Sequence, residues 1–390
     1  MNKQKLVLGI DASNLRDGGG ITHLVELLSV ARPLEHGVTQ VIVFGGSRIL
    51  NALSDQPWLV KCFVPELDRN LLFRLYWQRF KFASQARSLG CSLLFAPGGS
   101  YFGTFEPAVT MSRNMLPFES AEMRRYGWSA RRIRLILLRM GQTQSFKRAT
   151  GIIFLTKYAQ SAILELTGPL KGRVTQIPHG LSARFRSNPR PQLPISEYDM
   201  ERPFRLVYVS TVDAYKHQWN VVEAVAQLRQ SGLPIKLDLV GSAYPPALHR
   251  LKKSMSVWDP NQIWVKYHGA LPHQELRDIY IGADLGVFAS SCENMPNILL
   301  EKMAAGLPIA CAKRGPTPEI LGQSGIYFDP ESPADISRSI RRLIDSPSLR
   351  LGNANFNFNL ANEYSWDQCA ADTFDFLRSI ASKEKHEQKL

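Results

Sequence analysis

Short apolar runs alternate along the chain with longer amphipathic stretches. The runs are rich in β-branched and aromatic residues and are bounded by Gly or Pro, so the pattern predicts strands. Helix-length segments separate them, which is typical of parallel sheets covered by helices. The sequence therefore predicts an α/β fold with two doubly wound, Rossmann-like sheets. The strands are expected at 5–10, 40–44, 93–95, 108–111, 151–155 and 173–177, and at 205–209, 236–240, 263–267, 285–289, 308–311 and 325–328.

A proline-rich break divides the two sets of strands. Residues 185–203, FRSNPRPQLPISEYDMERP, contain four prolines and favour neither helix nor strand. We expect an N-terminal domain at 1–186, a linker at 187–203, a second domain at 204–365, and a C-terminal helix and tail at 366–390 that could cross back to the first domain. Because ligands of such sheets bind beyond the carboxyl ends of the strands, the site is expected in a cleft between the domains.

Composition supports a two-domain globular protein with an uneven charge. The 390 residues suit two domains, and 44% apolar with 21% charged residues excludes a disordered chain. Residues 1–186 hold 25 Lys and Arg against 11 Asp and Glu, whereas residues 187–390 hold 22 against 23. Only the first half is therefore expected to meet an anionic partner.

Other patterns limit the compartment and the cofactors. The five cysteines include no CxxC pair, which disfavours a disulfide framework or a zinc site and suits a reducing cytosol. The first apolar run is too short for a signal peptide, and no 18-residue apolar stretch occurs. No Asp-x-Asp and no histidine cluster is present, so we expect no metal and no cofactor.

The segment with the clearest chemistry is SSCENMPNILLEKMAAGLP at 290–308. It predicts a strand end, a polar loop with Glu293, and a helix that Pro296 opens and Gly306 ends, with Glu301 inside it. A helix N-terminus binds phosphate, and carboxylates accept hydrogen bonds from sugar hydroxyls. The alternative is an ordinary strand–loop–helix unit with two solvated glutamates.

This segment resembles the E-x7-E signature of family 4 retaining glycosyltransferases, with Glu293 and Glu301 at its ends. Other segments resemble the family in the same order, including LVYVSTVDAYKHQWNVVEA, LDLVGS, VKYHGALPHQELRDIYIGADLGVFASS and RGPTPEIL. The resemblance covers about 180 residues, and GIDASNLRDGGGITHLVELL fits the family's first strand–loop–helix. It implies the GT-B fold, a nucleotide-sugar donor, and transfer on the donor's front face without a protein nucleophile.

The resemblance also implies residue roles. Lys216 would contact the donor diphosphate, Glu301 the ribose and Glu293 the transferred sugar. The other donor-binding candidates are Gly18, Gly19, Gly20, Ser210, Thr211, Gly241, Asn294, Met295, Pro296, Asn297 and Arg314. Two departures stand out: Ser210-Thr211 replaces the usual Gly-Arg, and Asn114 stands where many members have a His. Asn114 is the third catalytic candidate, as a hydrogen-bonding substitute. His179 is expected in a turn, and His23 either near the site or in packing.

Two basic, aromatic segments stand out in the first half. Residues 69–87 hold five basic and no acidic residues, with Phe73, Tyr76, Trp77 and Phe80 spaced as one helix face. Residues 113–148 carry a net charge of +7. This pattern is typical of helices that bind an anionic membrane surface, and the alternative is an ordinary core stripe beside solvated arginines. The acceptor or membrane candidates are Arg74, Trp77, Arg113, Arg124, Arg125, Trp128, Arg131 and Arg132.

Together with these features, the resemblance implies a retaining, metal-independent hexosyltransferase of bacterial surface-polysaccharide synthesis, such as O-antigen, capsule or lipopolysaccharide. Its partners would be a nucleotide-sugar, a lipid-linked or saccharide acceptor and an anionic membrane, without nucleic acid. It would be cytoplasmic, peripheral at the inner face of the cytoplasmic membrane. The alternatives are a GT-B nucleotide-sugar epimerase and a non-catalytic, membrane-associated glycosyltransferase-like subunit.

Overall fold

The computed structural model describes residues 6–15, 18–272 and 274–387, and side-chain burial up to 382. Lys5, which begins the first expected strand, and the end of the tail at 388–390 lie outside the described residues. The chain forms two compact units. Unit 1 comprises Met1–Ser120, Trp128–Gly180 and Tyr364–Leu390, and unit 2 comprises Ala121–Gly127 and Leu181–Glu363.

Unit 1 contains a seven-stranded sheet in the order β3-β2-β1-β4-β5-β6-β7, and every pairing is parallel. The central strands are buried apolar runs, which a parallel sheet with two covered faces requires. The strands are β1 Leu6–Asp11, β2 Val38–Gly45, β3 Leu59–Phe63, β4 Leu93–Ala96, β5 Ala108–Met111, β6 Gly151–Phe154 and β7 Arg173–Gln176.

The helices of unit 1 include one irregular stretch. The helices are α1 Gly19–Val30, α2 Ser47–Ala52, α3 Leu71–Tyr76, α4 Phe82–Ser88, α6 Ala130–Arg148, α7 Lys157–Thr167 and α15 Trp366–Glu387, whereas α5, Ser120–Arg124, has only its first residue in unit 1. A π-helical turn, Trp77–Lys81, joins α3 to α4. Helix α5 begins at the boundary of unit 1 and continues into the segment that folds with unit 2. Helix α15 belongs to unit 1, where it packs against α1.

Unit 2 contains a six-stranded parallel sheet in the order β10-β9-β8-β11-β12-β13. Its strands are β8 Phe204–Val209, β9 Ile235–Val240, β10 Val265–Tyr267, β11 Leu285–Phe288, β12 Ile309–Ala312 and β13 Ile326–Phe328. Its helices are α8 Gln218–Gln230, α9 Pro245–Trp258, α10 Leu276–Ile281, α11 Asn297–Ala304, α12 Thr317–Leu321, α13 Pro333–Ile344 and α14 Pro347–Ala361.

The expected fold class is confirmed, since both sheets are parallel and covered by helices. Each strand that the apolar pattern predicts overlaps a strand of the structure. Among the described residues, β3 is the one strand that the pattern does not predict, and it lies at the sheet edge with every residue partly or fully exposed. The proline-rich stretch 187–203 packs on unit 2, where Arg190 donates to Asp284 at 2.7 Å and Ser187 N donates to the carbonyl of Ala304 at 2.9 Å.

Candidate functional site

The carboxyl ends of β8 and β11 in unit 2 hold a buried ion pair. Lys216 lies in the loop between β8 and α8, and Glu293 lies in the loop between β11 and α11. The Lys216 ammonium contacts the Glu293 carboxylate, and the two side chains are only 7% and 16% exposed. The ammonium also lies 4.8 Å from the ring centre of Tyr215. Two of the predicted residues, 77 positions apart in sequence, are thus in direct contact.

The loop that carries Lys216 is fixed by its own backbone. Lys216 N donates to the carbonyl of Asp213 at 3.0 Å, and the Tyr208 hydroxyl donates to the carbonyl of Lys216 at 2.7 Å. His217 follows with a φ of 52°, a left-handed conformation that turns the chain into α8. The ammonium is therefore held where β8 ends.

A close backbone approach brings Gly241 beside Ser210. Gly241 has a φ of +146°, and a Cβ atom there would lie 2.1 Å from the Ser210 carbonyl oxygen. Only glycine fits this position, since backbone cannot give way as a flexible side chain does. Ser210 is buried, whereas Thr211 is exposed and its hydroxyl lies 3.3 Å from that of Ser242. The ends of β8 and β9 thereby meet next to the Lys216 loop.

The N-terminal end of α11 supplies the rest of the expected donor site. Asn294, Met295 and Pro296 are buried ahead of the helix. Asn297 begins the helix, and its Oδ1 is a buried oxygen without a hydrogen-bond partner among the described residues. Such an oxygen is uncommon in a folded protein and marks a place for a ligand or a water molecule.

The second glutamate and the second cation of the expected site each have a partner within unit 2. Glu301 is 7% exposed and accepts a hydrogen bond of 3.2 Å from the Tyr280 hydroxyl. Arg314 is exposed and donates to Asp329 at 3.3 Å. The Arg314 guanidinium therefore has a carboxylate partner of its own, while Lys216 is paired with Glu293.

Comparison with known proteins agrees with this geometry. Residues 203–346, which span most of unit 2 and include the Lys216–Glu293 pair, match the family described as glycosyl transferases group 1. These residues form a glycosyl transferases group 1 domain.

The relatives of this chain share low sequence identity with it. O-antigen chain mannosyltransferase B of Escherichia coli is 23% identical over 239 residues, which are 61% of this chain and 62% of that protein. A GDP-mannose-dependent phosphatidylinositol monomannoside mannosyltransferase of Mycobacterium tuberculosis is 27% identical over 271 residues, 65% of this chain and 66% of that protein. The chain thus spans less than two thirds of the length of these relatives.

Solved structures confirm the GT-B fold. Sucrose-phosphate synthase of Thermosynechococcus elongatus superimposes with a TM-score of 0.73 over 97% of this chain and 100% of that chain, at 16% identity. At this identity the likeness concerns the fold alone.

The glycine loop and Asn114 of unit 1 have local roles. Gly18 has a φ of +60° and precedes α1, so this position favours glycine. Gly19 and Gly20 lie in the first turn of α1, and their carbonyls accept hydrogen bonds from Arg113. Asn114 is exposed, and its Oδ1 accepts a hydrogen bond of 3.0 Å from the backbone of Leu116. The oxygen of Asn114 thus closes a local turn.

Four of the acceptor or membrane candidates have partners within the fold, and the burial of Trp77 and Arg74 contradicts a position at a membrane surface. Trp77 is 1% exposed and packs on Phe82, because the π-helical turn rotates it out of the expected aromatic face into the core. Arg74 is buried and donates to the carbonyl of Ser13 at 3.3 Å. Arg113 binds the backbone of α1, and Arg125 pairs with two carboxylates.

The other members of that set stay at the surface. Trp128 is 97% exposed, and the Arg132 guanidinium lies 5.0 Å from its ring centre. Arg124 is exposed, and Arg131 and Arg132 are partly exposed. Among the described helices, none is long and apolar enough to cross a bilayer.

Sequence reasoning missed several residues that hold this site. Glu122 and Tyr126 lie in a segment assigned to the basic surface, yet both are buried and contact the loops of the group 1 domain. The signal was present in Glu122, an acid within an otherwise basic stretch. Lys302, next to Glu301, is fully buried and donates to the carbonyl of Val209 at 3.3 Å. No local pattern separates it from a surface lysine.

His23 and His179, both in unit 1, form a buried pair. His23 Nδ1 and His179 Nδ1 are 2.9 Å apart, and both rings pack against Trp366 of α15. Burial lowers the pKa of both imidazoles well below the usual range, and the charge of Arg113 acts in the same direction. Neutral rings packed in this way serve the core of unit 1.

Proposed function

We propose that this chain is a retaining, metal-independent glycosyltransferase that moves a sugar from a nucleotide-sugar to a lipid-linked or saccharide acceptor. The observation that supports this proposal best is the buried Lys216–Glu293 pair where β8 and β11 end, within a group 1 domain. Assembly of a bacterial surface polysaccharide at the cytoplasmic membrane face is the proposed setting. It is supported by the relative named as an O-antigen chain mannosyltransferase.

The chemistry follows from the charges at this site. A diphosphate is the leaving group of a nucleotide-sugar, and the Lys216 ammonium would neutralise the charge that develops on it. The Glu293 carboxylate holds that ammonium and has oxygen lone pairs left for sugar hydroxyls. The bond from the anomeric carbon to the diphosphate breaks as the bond to the acceptor oxygen forms, and the acceptor proton passes to the leaving diphosphate.

Matched substitutions test the site. Lys216→Met removes the charge that stabilises the leaving diphosphate, and Glu293→Gln removes the carboxylate that holds Lys216 and accepts from sugar hydroxyls. Each should therefore reduce release of nucleoside diphosphate at least about 100-fold. Either change alone leaves one buried group without its partner, so the double variant Lys216→Met/Glu293→Gln is included to retain the fold. Lys313→Met, an exposed lysine of unit 2, is the matched control. Near-normal turnover in the double variant would refute the assignment.

Two further measurements test the finer parts of the proposal. Proton NMR of the product should show the anomeric configuration of the donor, and the inverted configuration contradicts retention. Activity should survive excess chelator, since Lys216 supplies positive charge at the diphosphate. Loss of activity with chelator and its recovery with Mg²⁺ or Mn²⁺ contradict metal independence.

The membrane partner is proposed from an exposed apolar and basic face of unit 1. Helix α6 exposes Ile133, Leu137 and Met140 by 59%, 62% and 63%, at spacings that place them on one side of the helix. Phe80 is 67% exposed, with the Arg79 guanidinium 5.5 Å from its ring centre. Exposed apolar side chains beside cations suit a lipid interface, where each cation near an anionic leaflet contributes about 1 kcal/mol.

The two parts of this face pack on the same loop of unit 1. The backbone N–H of Phe102 donates to Gln78 of the π-helical turn at 3.3 Å, and that of Tyr101 donates to Ser145 of α6 at 2.9 Å. A Cβ atom on Gly141 of α6 would lie 2.8 Å from the Phe102 ring. The π-helical turn and α6 therefore contact one loop, which supports the proposal that their exposed apolar residues act together at a lipid surface.

Vesicle binding tests this surface. The protein should sediment with vesicles of phosphatidylglycerol and phosphatidylethanolamine and be released by salt, and it should bind phosphatidylcholine vesicles weakly. Phe80→Ser and Trp128→Ser should reduce binding about tenfold each. Phe356→Ser, an exposed phenylalanine of unit 2, serves as the control and should not change binding. Binding that is indifferent to anionic lipid and to salt contradicts the proposal.

A further inference from the structure

Ala121–Gly127 is a short segment that folds with unit 2 although unit 1 precedes and follows it in sequence. Its residues Glu122, Met123 and Tyr126 are buried. The basic composition of this stretch predicts an exposed surface, but the structure buries the Glu122 carboxylate and the Tyr126 phenol. The contacts of these two side chains therefore need an explanation.

Tyr126 reaches the loop that carries Lys216. Its hydroxyl lies 2.8 Å from Oδ1 of Asp213, and the same oxygen accepts the backbone N–H of Ala214 at 2.7 Å. The Asp213 carbonyl in turn accepts the backbone N–H of Lys216. Tyr126 thus fixes the residue from which the Lys216 turn begins.

Glu122 reaches the other loop, which carries Glu293. The Ser291 hydroxyl donates to Glu122 Oε2 at 2.7 Å, two residues ahead of Glu293. Arg125 holds the Glu122 carboxylate at 2.7 Å and also binds Glu331 at 2.6 Å. A buried carboxylate with a cation and a hydroxyl as partners is fully compensated, so it can fix the position of Ser291.

Ser291 joins the two loops. Its backbone N–H donates to the carbonyl of Tyr215 at 2.9 Å, and its hydroxyl oxygen lies 2.9 Å from His217 Nε2. Burial lowers the pKa of His217 to about 4, and the charge of Arg125 acts in the same direction. His217 is therefore neutral near pH 7, and its Nε2–H can donate to Ser291 while the Ser291 hydroxyl donates to Glu122.

We infer that Tyr126 and Glu122 are positioning residues that set the geometry of Lys216 and Glu293. The inference rests on the proposed function, because it assigns these residues to the alignment of the transfer site. Tyr126 contacts the loop of Lys216, Glu122 contacts the loop of Glu293, and Ser291 links the two loops. Neither residue contacts the reacting groups itself, and loss of one contact should displace its loop without unfolding unit 2.

The test compares Tyr126→Phe with Tyr198→Phe. Tyr198 donates to Asp284 at 2.9 Å, the same chemical pair in the same unit, but Asp284 precedes β11 at the opposite end of the sheet from Ser291. A hydrogen bond from a hydroxyl to a carboxylate corresponds to about a tenfold effect or more. Tyr126→Phe should therefore lower kcat about tenfold with whichever of UDP-glucose and GDP-mannose the wild type consumes, and Tyr198→Phe should not.

A conservative pair tests Glu122 in the same assay. Glu122→Gln keeps an oxygen that accepts from Ser291 and should retain kcat within about threefold, whereas Glu122→Leu removes the acceptor and should lose about tenfold or more. Equal losses in the two variants, or wild-type kcat in Tyr126→Phe, would overturn the inference.

Hydrogen exchange separates the inference from the proposed function. Amide exchange of 213–217 and 290–293 should accelerate about fivefold or more in Tyr126→Phe and stay unchanged in Tyr198→Phe, whether or not a donor is consumed. Unchanged exchange in Tyr126→Phe overturns the positioning role. If exchange accelerates but the wild type consumes no nucleotide-sugar, the loops are positioned as inferred and the proposed function fails.

Discussion

Lys302 offers a direct measurement of what burial of a charge costs this fold. The side chain is 0% exposed, and its ammonium donates to the carbonyl of Val209 and lies 5.3–5.8 Å from the ring centres of Tyr208, Tyr280 and Phe288. Burial lowers the pKa of Lys302 to about 7 from an ordinary value near 10.5, although the charge of Glu301 acts in the opposite direction. We predict that Lys302→Met stabilises the protein at neutral pH.

The magnitude follows from the two pKa values. The unfolded chain binds this proton more tightly, so wild-type stability rises with pH between the folded and the unfolded pKa. The charge costs about 4 kcal/mol of unfolding free energy at pH 7 and about 2 kcal/mol at pH 9. Methionine forgoes the hydrogen bond to Val209, worth about 1 kcal/mol. Lys302→Met should thus be more stable by about 3 kcal/mol at pH 7 and about 1 kcal/mol at pH 9.

Urea unfolding of wild type and variant at both pH values provides the assay. The comparison uses the difference between the two proteins, because the titration of every other group then cancels. A variant that is less stable than wild type at pH 7 would show that the ring faces and the Val209 carbonyl outweigh desolvation. A difference that does not shrink as pH rises would show that Lys302 is not the group that titrates.

Two further predictions concern unit 1. Burial lowers the pKa of His23 and His179, so the folded protein holds both rings neutral. The stability that these two residues contribute should therefore be complete above about pH 6.5 and be lost as pH falls below it. Thermal unfolding from pH 7.5 to 5 should show a shallower loss for His23→Phe than for wild type, and equal slopes would contradict this. Gly180→Ala should lower the free energy of unfolding by more than about 3 kcal/mol, because the new Cβ atom would lie 2.3 Å from the Trp366 backbone. The control Gly352→Ala, in open space within α14, should be neutral or stabilising in urea unfolding.

The spacing of apolar residues along the chain was enough to predict the strands of both sheets. Buried strands of a parallel sheet are short apolar runs, and this signal is local, so each expected strand overlaps one in the structure. The exception is β3, whose partly exposed position at the sheet edge requires no such run. Local patterns were less reliable for helix faces, since the π-helical turn at Trp77–Lys81 changes which aromatic side chains face outward.

For the candidate site, the sequence indicates which residues take part, and the fold decides which of them are in contact. Lys216 and Glu293 can be named from the sequence because the segments around them resemble those of family 4 glycosyltransferases in the same order. That they contact one another depends on β8 and β11 being neighbours in the sheet, which is a property of the assembled unit.

By itself, the sequence determined two parallel α/β units, the chain segments that carry the candidate donor-binding residues and an excess of positive charge in the first half. Tertiary structure alone decided that Ala121–Gly127 folds with unit 2, that Trp77 is core, and that Lys302 is buried. The physical reason is that a strand's apolar pattern depends only on residues that are close in sequence. Burial and hydrogen-bond partners depend on segments far apart in sequence, such as Glu122 and Ser291, which only the folded chain brings together.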